Sequence, residues 1–332
     1  MELLSLYRSM ARIRAFEVAA EEASIGGFAV LGQQVDPRAK IRGALHASIG
    51  QEGVAAGVCA HLHLQDLLTS SHRGHGHTLA KGADMRRMMA ELFGRRDGTN
   101  SGKGGSMHIA DFSVGMLGAN GIVGAGLPIA CGAAQALKVQ GKPHIVVCFF
   151  GDGAVNRGPF LEALNWASVY QLPVLFVCED NRWSSTTSTG AFTAGPGAAA
   201  RAAALGVPAE TVDGNDVEAV SDVALRLVSD IRAGKGPRLL HALTRRARGH
   251  VSADKQGYRD PAEIETAKAD DPVQRARTRL VECGVPDADL SRIDAEVSEE
   301  VQQAIAFAEA SPVPDAAEAF AEVQTLGEGT WH

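Results

Sequence analysis

The sequence predicts a doubly wound α/β chain built on a mostly parallel sheet, and three observations carry that expectation. Residues 144–150 and 174–178 read HIVVCFF and VLFVC, continuous apolar runs of strand length, as strands covered on both faces require. Between them Phe160, Leu164 and Ala167 recur at helical spacing. Strand-like and helix-like stretches then alternate along most of the chain. Two apolar strands joined by a helix form a right-handed parallel crossover, so both strands end on one edge of the sheet.

The remaining elements follow in order. Leu3, Leu6, Tyr7, Met10 and Phe16 make an N-terminal helix, and residues 26–40 are loop-like, with Gly, Gln and Pro. Residues 51–62 predict a helix whose small side chains allow close packing; residues 70–77 read as a polar turn dense in His, Arg and Gly. Residues 84–93 predict a helix, with Met85, Met88, Met89 and Leu92 as a core stripe. Residues 94–126 are too rich in glycine to be regular throughout, and 127–139 form a small-residue helix against the sheet. After the central crossover, residues 184–197 are a Ser/Thr/Gly loop that a partner could order. Residues 198–205 are a short helix, 211–213 end a strand, 217–232 are an amphipathic helix and 237–244 another strand. From residue 260 the chain is helical and Ala-rich, with Pro312 and Pro314 before a last helix. There is no repeat and no composition break. One domain over residues 1–332 is expected, with 1–40 as N-terminal helix and loop and 260–332 as a helical extension.

Composition narrows the function classes. A net charge of −7 without a long basic run argues against nucleic-acid binding; the basic cluster Arg245, Arg246 and Arg248 is too short for such an arm. The five cysteines form no CxxC pair, and Cys148 and Cys178 fall inside apolar strands. They are expected to be small core side chains in a reducing compartment. No apolar run is long enough to span a bilayer, and charges interrupt the N-terminal helix too early for a signal core. A cytoplasmic protein without membrane contact is the expectation.

The chemistry concentrates where the two central strands end. Asp152 and Asn181 each stand just past one of them, in the crevice where open α/β sheets bind ligands. A carboxylate and an amide carbonyl are hard oxygen donors suited to Mg²⁺ or Ca²⁺, and Mg²⁺ is often shared with substrate phosphates. Gly151 and Gly153 let the backbone approach a diphosphate and present N–H groups to it. A helix cap at Asp152 is the bland alternative, and it leaves Asn181 unexplained. Other phosphate motifs fail. Gly104 stands where a P-loop ending at Lys103 needs Ser or Thr, and Gly121, Gly124 and Gly126 have the wrong order for a dinucleotide turn. The histidines of SSHRGHGH, with His61 and His63, lack cysteine or HExxH spacing, so a hydrogen-bonded turn is favoured over zinc.

GDG, a helix, a strand and then EDN resemble the thiamine diphosphate (ThDP) motif. With HRGHGH, SGKGGSMHIAD and MLGANGIVGAG, the chain resembles the alpha subunits of the dehydrogenase component of 2-oxo acid and acetoin dehydrogenase complexes, nearest to the acetoin type. The resemblance runs from the first helix to about residue 260. It implies ThDP and Mg²⁺ as cofactors, with Asp152, Asn181 and the main-chain carbonyl of Trp183 as metal ligands. It implies that His72, Arg73, Gly153, Ala154, Arg246 and His250 bind the diphosphate side, and that main-chain groups of Gly121 and Val123 grip the aminopyrimidine. His46 matches a histidine at the active-site entrance, His75 one near the reacting carbon, and His250 one in the loop over the reaction centre. Three positions depart from the common pattern: His72 replaces Tyr, Arg157 replaces Gln and Ser184 replaces Gly. The implied activity is cleavage of acetoin, or decarboxylation of pyruvate or another 2-oxo acid, with transfer of the two-carbon unit to a lipoyl-bearing acyltransferase. The carboxylate that activates the aminopyrimidine comes from a second chain in this family, and Glu52 and Glu162 carry no motif for that role. A heterotetramer with a beta subunit is therefore expected. A subunit that binds ThDP without turnover is the reading from another class.

Overall fold

A computed structural model describes residues 2–29 and 34–320 of the chain. The first half runs α1 (Leu3–Ala23), α2 (Glu52–Cys59), β1 (Leu67–Ser70), α3 (His75–Ala80), α4 (Met85–Leu92), β2 (Met116–Ala119), α5 (Gly126–Val139), β3 (Val146–Gly151) and α6 (Gly158–Tyr170). There follow β4 (Val174–Asp180), β5 (Trp183–Ser184), β6 (Thr187–Ser188), α7 (Thr189–Phe192), α8 (Ala198–Ala204), β7 (Ala209–Asp213), α9 (Val217–Arg232) and β8 (Arg238–Leu243). Helices α10 (Pro261–Ala269), α11 (Pro272–Glu282) and α12 (Asp287–Ala310) close the chain, before a 3-10 turn at Ala316–Phe320. The end of the expected last helix lies outside the described residues.

Six strands form one sheet in the order β2-β1-β3-β4-β8-β7, every pair parallel, as the apolar runs predict. Alternate side chains of the central strands feed two cores. Val147, Phe149, Leu175 and Val177 pack with α4 and α9, while Cys148, Phe150, Phe176 and Cys178 pack with α5 and α6. Both faces are covered, which is why neither strand shows polar alternation. Several helices begin at an aspartate. Asp84 accepts from the Arg86 N–H at the start of α4, and Asp216 from those of Glu218 and Ala219 at the start of α9. Helix α2 is wholly buried, and a Cβ at Gly57 would sit 2.7 Å from Val220, so glycine sets the α2–α9 spacing. The methionine stripe of α4 is core. Helix α12 packs on α4 and α1. Cys59, Cys131, Cys148 and Cys178 are buried free thiols, and Cys283 is exposed. Among the described residues, no helix is long and apolar enough to cross a membrane.

Three sequence expectations are corrected. Residues 70–77 are not one polar turn. Ser70 ends β1, which pairs with β2 and β3, and His75 opens α3. The helix expected over 51–62 stops at Cys59. Residues 184–197 are not all loop, because β5 and β6 form a small antiparallel hairpin and α7 adds a helical turn. Residues 152–156 form a 3-10 turn, and α6 begins two residues on, at Gly158, with Pro159 in its first turn.

The glycine-rich stretch after α4 owes its order to Glu91. Its buried carboxylate accepts the main-chain N–H groups of Asn100, Gly102, Gly104 and Gly105 at 2.7–3.0 Å. A Cβ at Gly98 would lie 2.5 Å from the same carboxylate, so glycine is sterically required there.

Candidate active site

The sheet turns at β1 and β3. From β1 the chain moves outward to β2, and from β3 it moves the opposite way to β4. Parallel strands that part in this manner leave a crevice beyond their carboxyl ends. There lies a cavity lined by the ends of β1 (Ser70 to Arg73), β3 (Gly151 to Ala154) and β4 (Glu179, Asn181), together with Val123, Trp183 and the loop after β8 (Arg246, His250).

Two guanidiniums face it, and both are buried. Arg73 donates from Nη1 to the carbonyl of Ala47 at 2.6 Å and from Nη2 to that of His250 at 3.0 Å. Arg246, 1% exposed, donates from Nη2 to the Ser185 carbonyl at 3.1 Å and to the Tyr258 hydroxyl at 2.8 Å, while its Nε has no partner. Among the described residues neither guanidinium pairs directly with a carboxylate, although Glu17 and Glu179 act on Arg73, and Asp254 and Asp152 on Arg246, through space. Burial, with Arg246 beside it, brings Arg73 down to about 9, and burial lowers Arg246 as well. Buried cations without a counter-ion are costly unless an anion completes the site. The planar forks of two arginines match phosphate oxygens.

The oxygen donors line the same cavity. Asp152 is buried at the end of β3 and caps no α-helix, since Arg157 is the N-cap of α6. Burial, reinforced by Asp180 and opposed by the Thr189 hydroxyl that donates to Oδ2, raises its carboxyl to about 6. Asn181 donates from Nδ2 to Gln51 Oε1 at 3.0 Å, and its Oδ1 accepts the Trp183 N–H at 3.1 Å. An amide oxygen has two lone pairs, so one remains for a cation. Trp183 opens β5, which turns over the 3-10 segment after Asp152. Hard oxygens and two guanidiniums without a carboxylate in contact, gathered on one cavity, suit a divalent ion bound to a diphosphate.

Three histidines far apart in the chain meet; His72 and His250 line the cavity, and His46 packs against both from outside its lining. The ring centroids of His46 and His72 are 4.7 Å apart, those of His46 and His250 4.9 Å, and those of His72 and His250 5.7 Å. Burial and the Arg73 charge bring His46 down to about 3 and His250 to about 4, and hold His72 well below its ordinary value. All three are neutral at neutral pH. Their ring nitrogens lie within 4.8 Å of one another, yet Arg73 Nη2 is 3.4 Å from His250 Nδ1, and its charge opposes a cation there. The cluster suits a ligand's polar atoms better than zinc.

The other expected site residues are placed as follows. Val123, Gly153 and Ala154 line the cavity; Gly121 lies just outside it, beside His108. His75 does not reach the cavity. It is fully buried, with Nδ1 2.8 Å from Glu17 Oε2 and Nε2 3.0 Å from Ser106 Oγ, so both ring nitrogens are engaged. Glu52 is buried against Arg14 and accepts the Gly50 N–H at 2.9 Å, and Glu162 is exposed; neither lines the cavity. The sequence reading passed over Glu179, which does line it. His77 Nε2 lies 3.1 Å from its Oε1, and His77 Nδ1 lies 2.8 Å from Ser70 Oγ. Glu179 pairs in register with Gly151, at the end of β3. Its only sequence signal is its place in EDN.

Replacing Arg246 with Met tests the electrostatics directly. Loss of that charge is expected to raise the His250 pKa from about 4, read by NMR titration, and to weaken pyrophosphate binding by roughly 10- to 100-fold, read by calorimetry.

The parallel sheet and the cavity beyond its strand ends define an α/β subunit with a ligand crevice at the switch of strand order. The chain belongs to the dehydrogenase E1 component family, which matches residues 32–317. It is 44% identical over 322 residues to the alpha subunit of the acetoin:2,6-dichlorophenolindophenol oxidoreductase of Bacillus subtilis (strain 168), covering 96% of this chain and 92% of that one. The corresponding subunit of Cupriavidus necator is 42% identical, over 94% of this chain and 91% of its own. The alpha subunit of the pyruvate dehydrogenase E1 component of Rhizobium meliloti is 37% identical, over 96% and 89%. Family membership implies thiamine diphosphate as the cofactor.

Proposed function

We propose that the chain is the alpha subunit of a dehydrogenase component that uses ThDP and Mg²⁺ to cleave acetoin and passes the two-carbon unit to a lipoyl-bearing acyltransferase. The observation that carries the reading is the pair of buried guanidiniums without a direct carboxylate partner among the described residues, converging with Asp152 and Asn181 on one edge of the sheet. Arg73 and Arg246 hold the diphosphate, with N–H groups of the Gly153–Ala154 turn. Asp152, Asn181 and the Trp183 carbonyl hold the cation. Bound ThDP supplies an electron sink for C–C cleavage. Burial lowers His46, His72 and His250 most and the Arg73 charge next, so an anion on the two arginines offsets only the second cause and moves their pKa values upward. His75, fixed by Glu17 and Ser106, acts as a positioning residue beneath them.

Among the described residues neither Glu52 nor Glu162 lines the cavity, which supports a second chain, and so does the surface. Ile122 and Val123 border the cavity yet are 69% and 45% exposed, and Phe112 and Ile129 on adjoining segments are exposed too. These exposed apolar side chains beside the cavity form the seat for a beta subunit. Relatives named for pyruvate dehydrogenase, 37–40% identical, keep a 2-oxo acid as the second reading.

Co-expression with the beta subunit decides the matter. Dye-linked oxidation is expected to be faster with acetoin than with pyruvate in the assembly, and absent from this chain alone. Pyruvate oxidised as fast or faster would displace acetoin; turnover by the isolated chain would remove the beta subunit from the reading.

A further inference from the structure

Thr189 stands where the turns around the proposed cation site meet. Its hydroxyl donates to Asp152 Oδ2, and its main-chain N–H donates to the carbonyl of Arg182 at 2.9 Å. Arg182 separates Asn181 from Trp183, so this one residue ties the end of β3 to the corner after β4. The surrounding segment is held down independently. Asn156 Nδ2 donates to Thr193 Oγ1 at 2.8 Å, and Arg201 donates to the carbonyls of Val155 at 2.8 Å and Ala194 at 3.1 Å. Ser184 lies so close over Gly153 that any Cβ there would collide with it. Residues 183–194 thus form a strap across the GDG turn, and Thr189 is the point where the strap engages a carboxylate.

We infer that Thr189 is a positioning residue for the divalent cation, fixing the Asp152 carboxylate and holding the Asn181–Trp183 corner in register with it. The inference rests on the cation reading given above. An Asp side chain left alone samples several orientations, and a cation that demands near-octahedral geometry loses affinity to that freedom. A hydroxyl bonded to one carboxylate oxygen removes it. Partners of this kind behind metal ligands contribute about 10- to 100-fold in affinity. Nothing in the sequence marks the residue: it is one of several hydroxyl side chains in SSTTST, and only the turn of the hairpin brings this one to Asp152.

The test uses Mn²⁺ as a paramagnetic stand-in for Mg²⁺ on the whole chain with inorganic pyrophosphate, free Mn²⁺ being read by EPR. Thr189→Val keeps the shape and removes the hydroxyl, and is expected to weaken Mn²⁺ binding by about tenfold or more. Thr189→Ser keeps the hydroxyl and is expected to restore the affinity to within about twofold of the parent. In the active assembly, T189V should raise the Mg²⁺ concentration for half-maximal rate and leave kcat at saturating Mg²⁺ nearly unchanged. Asp152→Asn runs in parallel. If D152N loses Mn²⁺ while T189V binds like the parent, or T189S is as weak as T189V, the inference on Thr189 is overturned and the cation reading stands. If D152N itself binds Mn²⁺ normally, both fall.

Discussion

Asp152→Asn is expected to stabilise the cofactor-free chain at neutral pH while removing its divalent-cation binding. The carboxyl is raised from 3.8 to about 6 by burial, so its ionised form is unfavourable in the folded state. For an acid whose folded pKa lies above the unfolded one, no penalty exists below the unfolded value. The penalty grows as pH rises through the interval and is complete above the folded value. The window here is about pH 4 to 6, and the full term is roughly 3 kcal/mol. Asn is isosteric, accepts from Thr189 and carries no charge. D152N should therefore melt a few degrees higher than the parent at pH 7, with the gap closing toward pH 4. Cation affinity should drop by at least about 100-fold, since a ligand is lost and not merely its support. In the parent, the proton competes with the cation, so affinity should fall about tenfold per pH unit below about 6. Calorimetric melting and Mn²⁺ titration across pH 4.5–8 measure both effects. A lower Tm for D152N at pH 7 would contradict the electrostatic account.

The second large effect is expected at Glu91→Gln, far from the cavity. Four N–H groups share the buried carboxylate, and an amide replaces one of its two oxygens with a donor. Two main-chain donors are then left facing N–H groups, at about 1–3 kcal/mol each. A loss of roughly 3–5 kcal/mol in unfolding free energy is expected, read from the denaturant midpoint. The consequence reaches the site. The loop leads into Ser106, whose hydroxyl bonds His75, which bonds Glu17, whose other oxygen accepts the Ser48 N–H at 2.9 Å two residues from His46. E91Q should weaken ThDP binding as well as stability. A variant as stable as the parent would show that the loop does not depend on the carboxylate.

What was legible followed one rule: a segment that carries its own pattern can be read alone. The β3–α6–β4 unit carries two fully apolar strands and a helical period, and α9 carries an amphipathic period bounded as expected at Val217 and Arg232. Asp152 and Asn181 inherit their place from those strands. Strand β1 escaped because it is four residues long and half polar, with Thr69 and Ser70 buried; its state comes from pairing on both sides, a non-local fact. The hairpin over residues 183–188 escaped for the same reason.

By itself, then, the sequence determined the parallel sheet, the family and the two strand ends that carry the oxygen donors, because burial and strand direction are written into local apolar periodicity. Tertiary structure alone decided which polar groups meet. It brought His46, His72 and His250 together, left Arg73 and Arg246 without a direct carboxylate partner among the described residues, withdrew His75 behind Glu17 and set Thr189 on Asp152. Hydrogen bonds and charges act over a few ångströms between residues remote in sequence, and no local pattern encodes such distances.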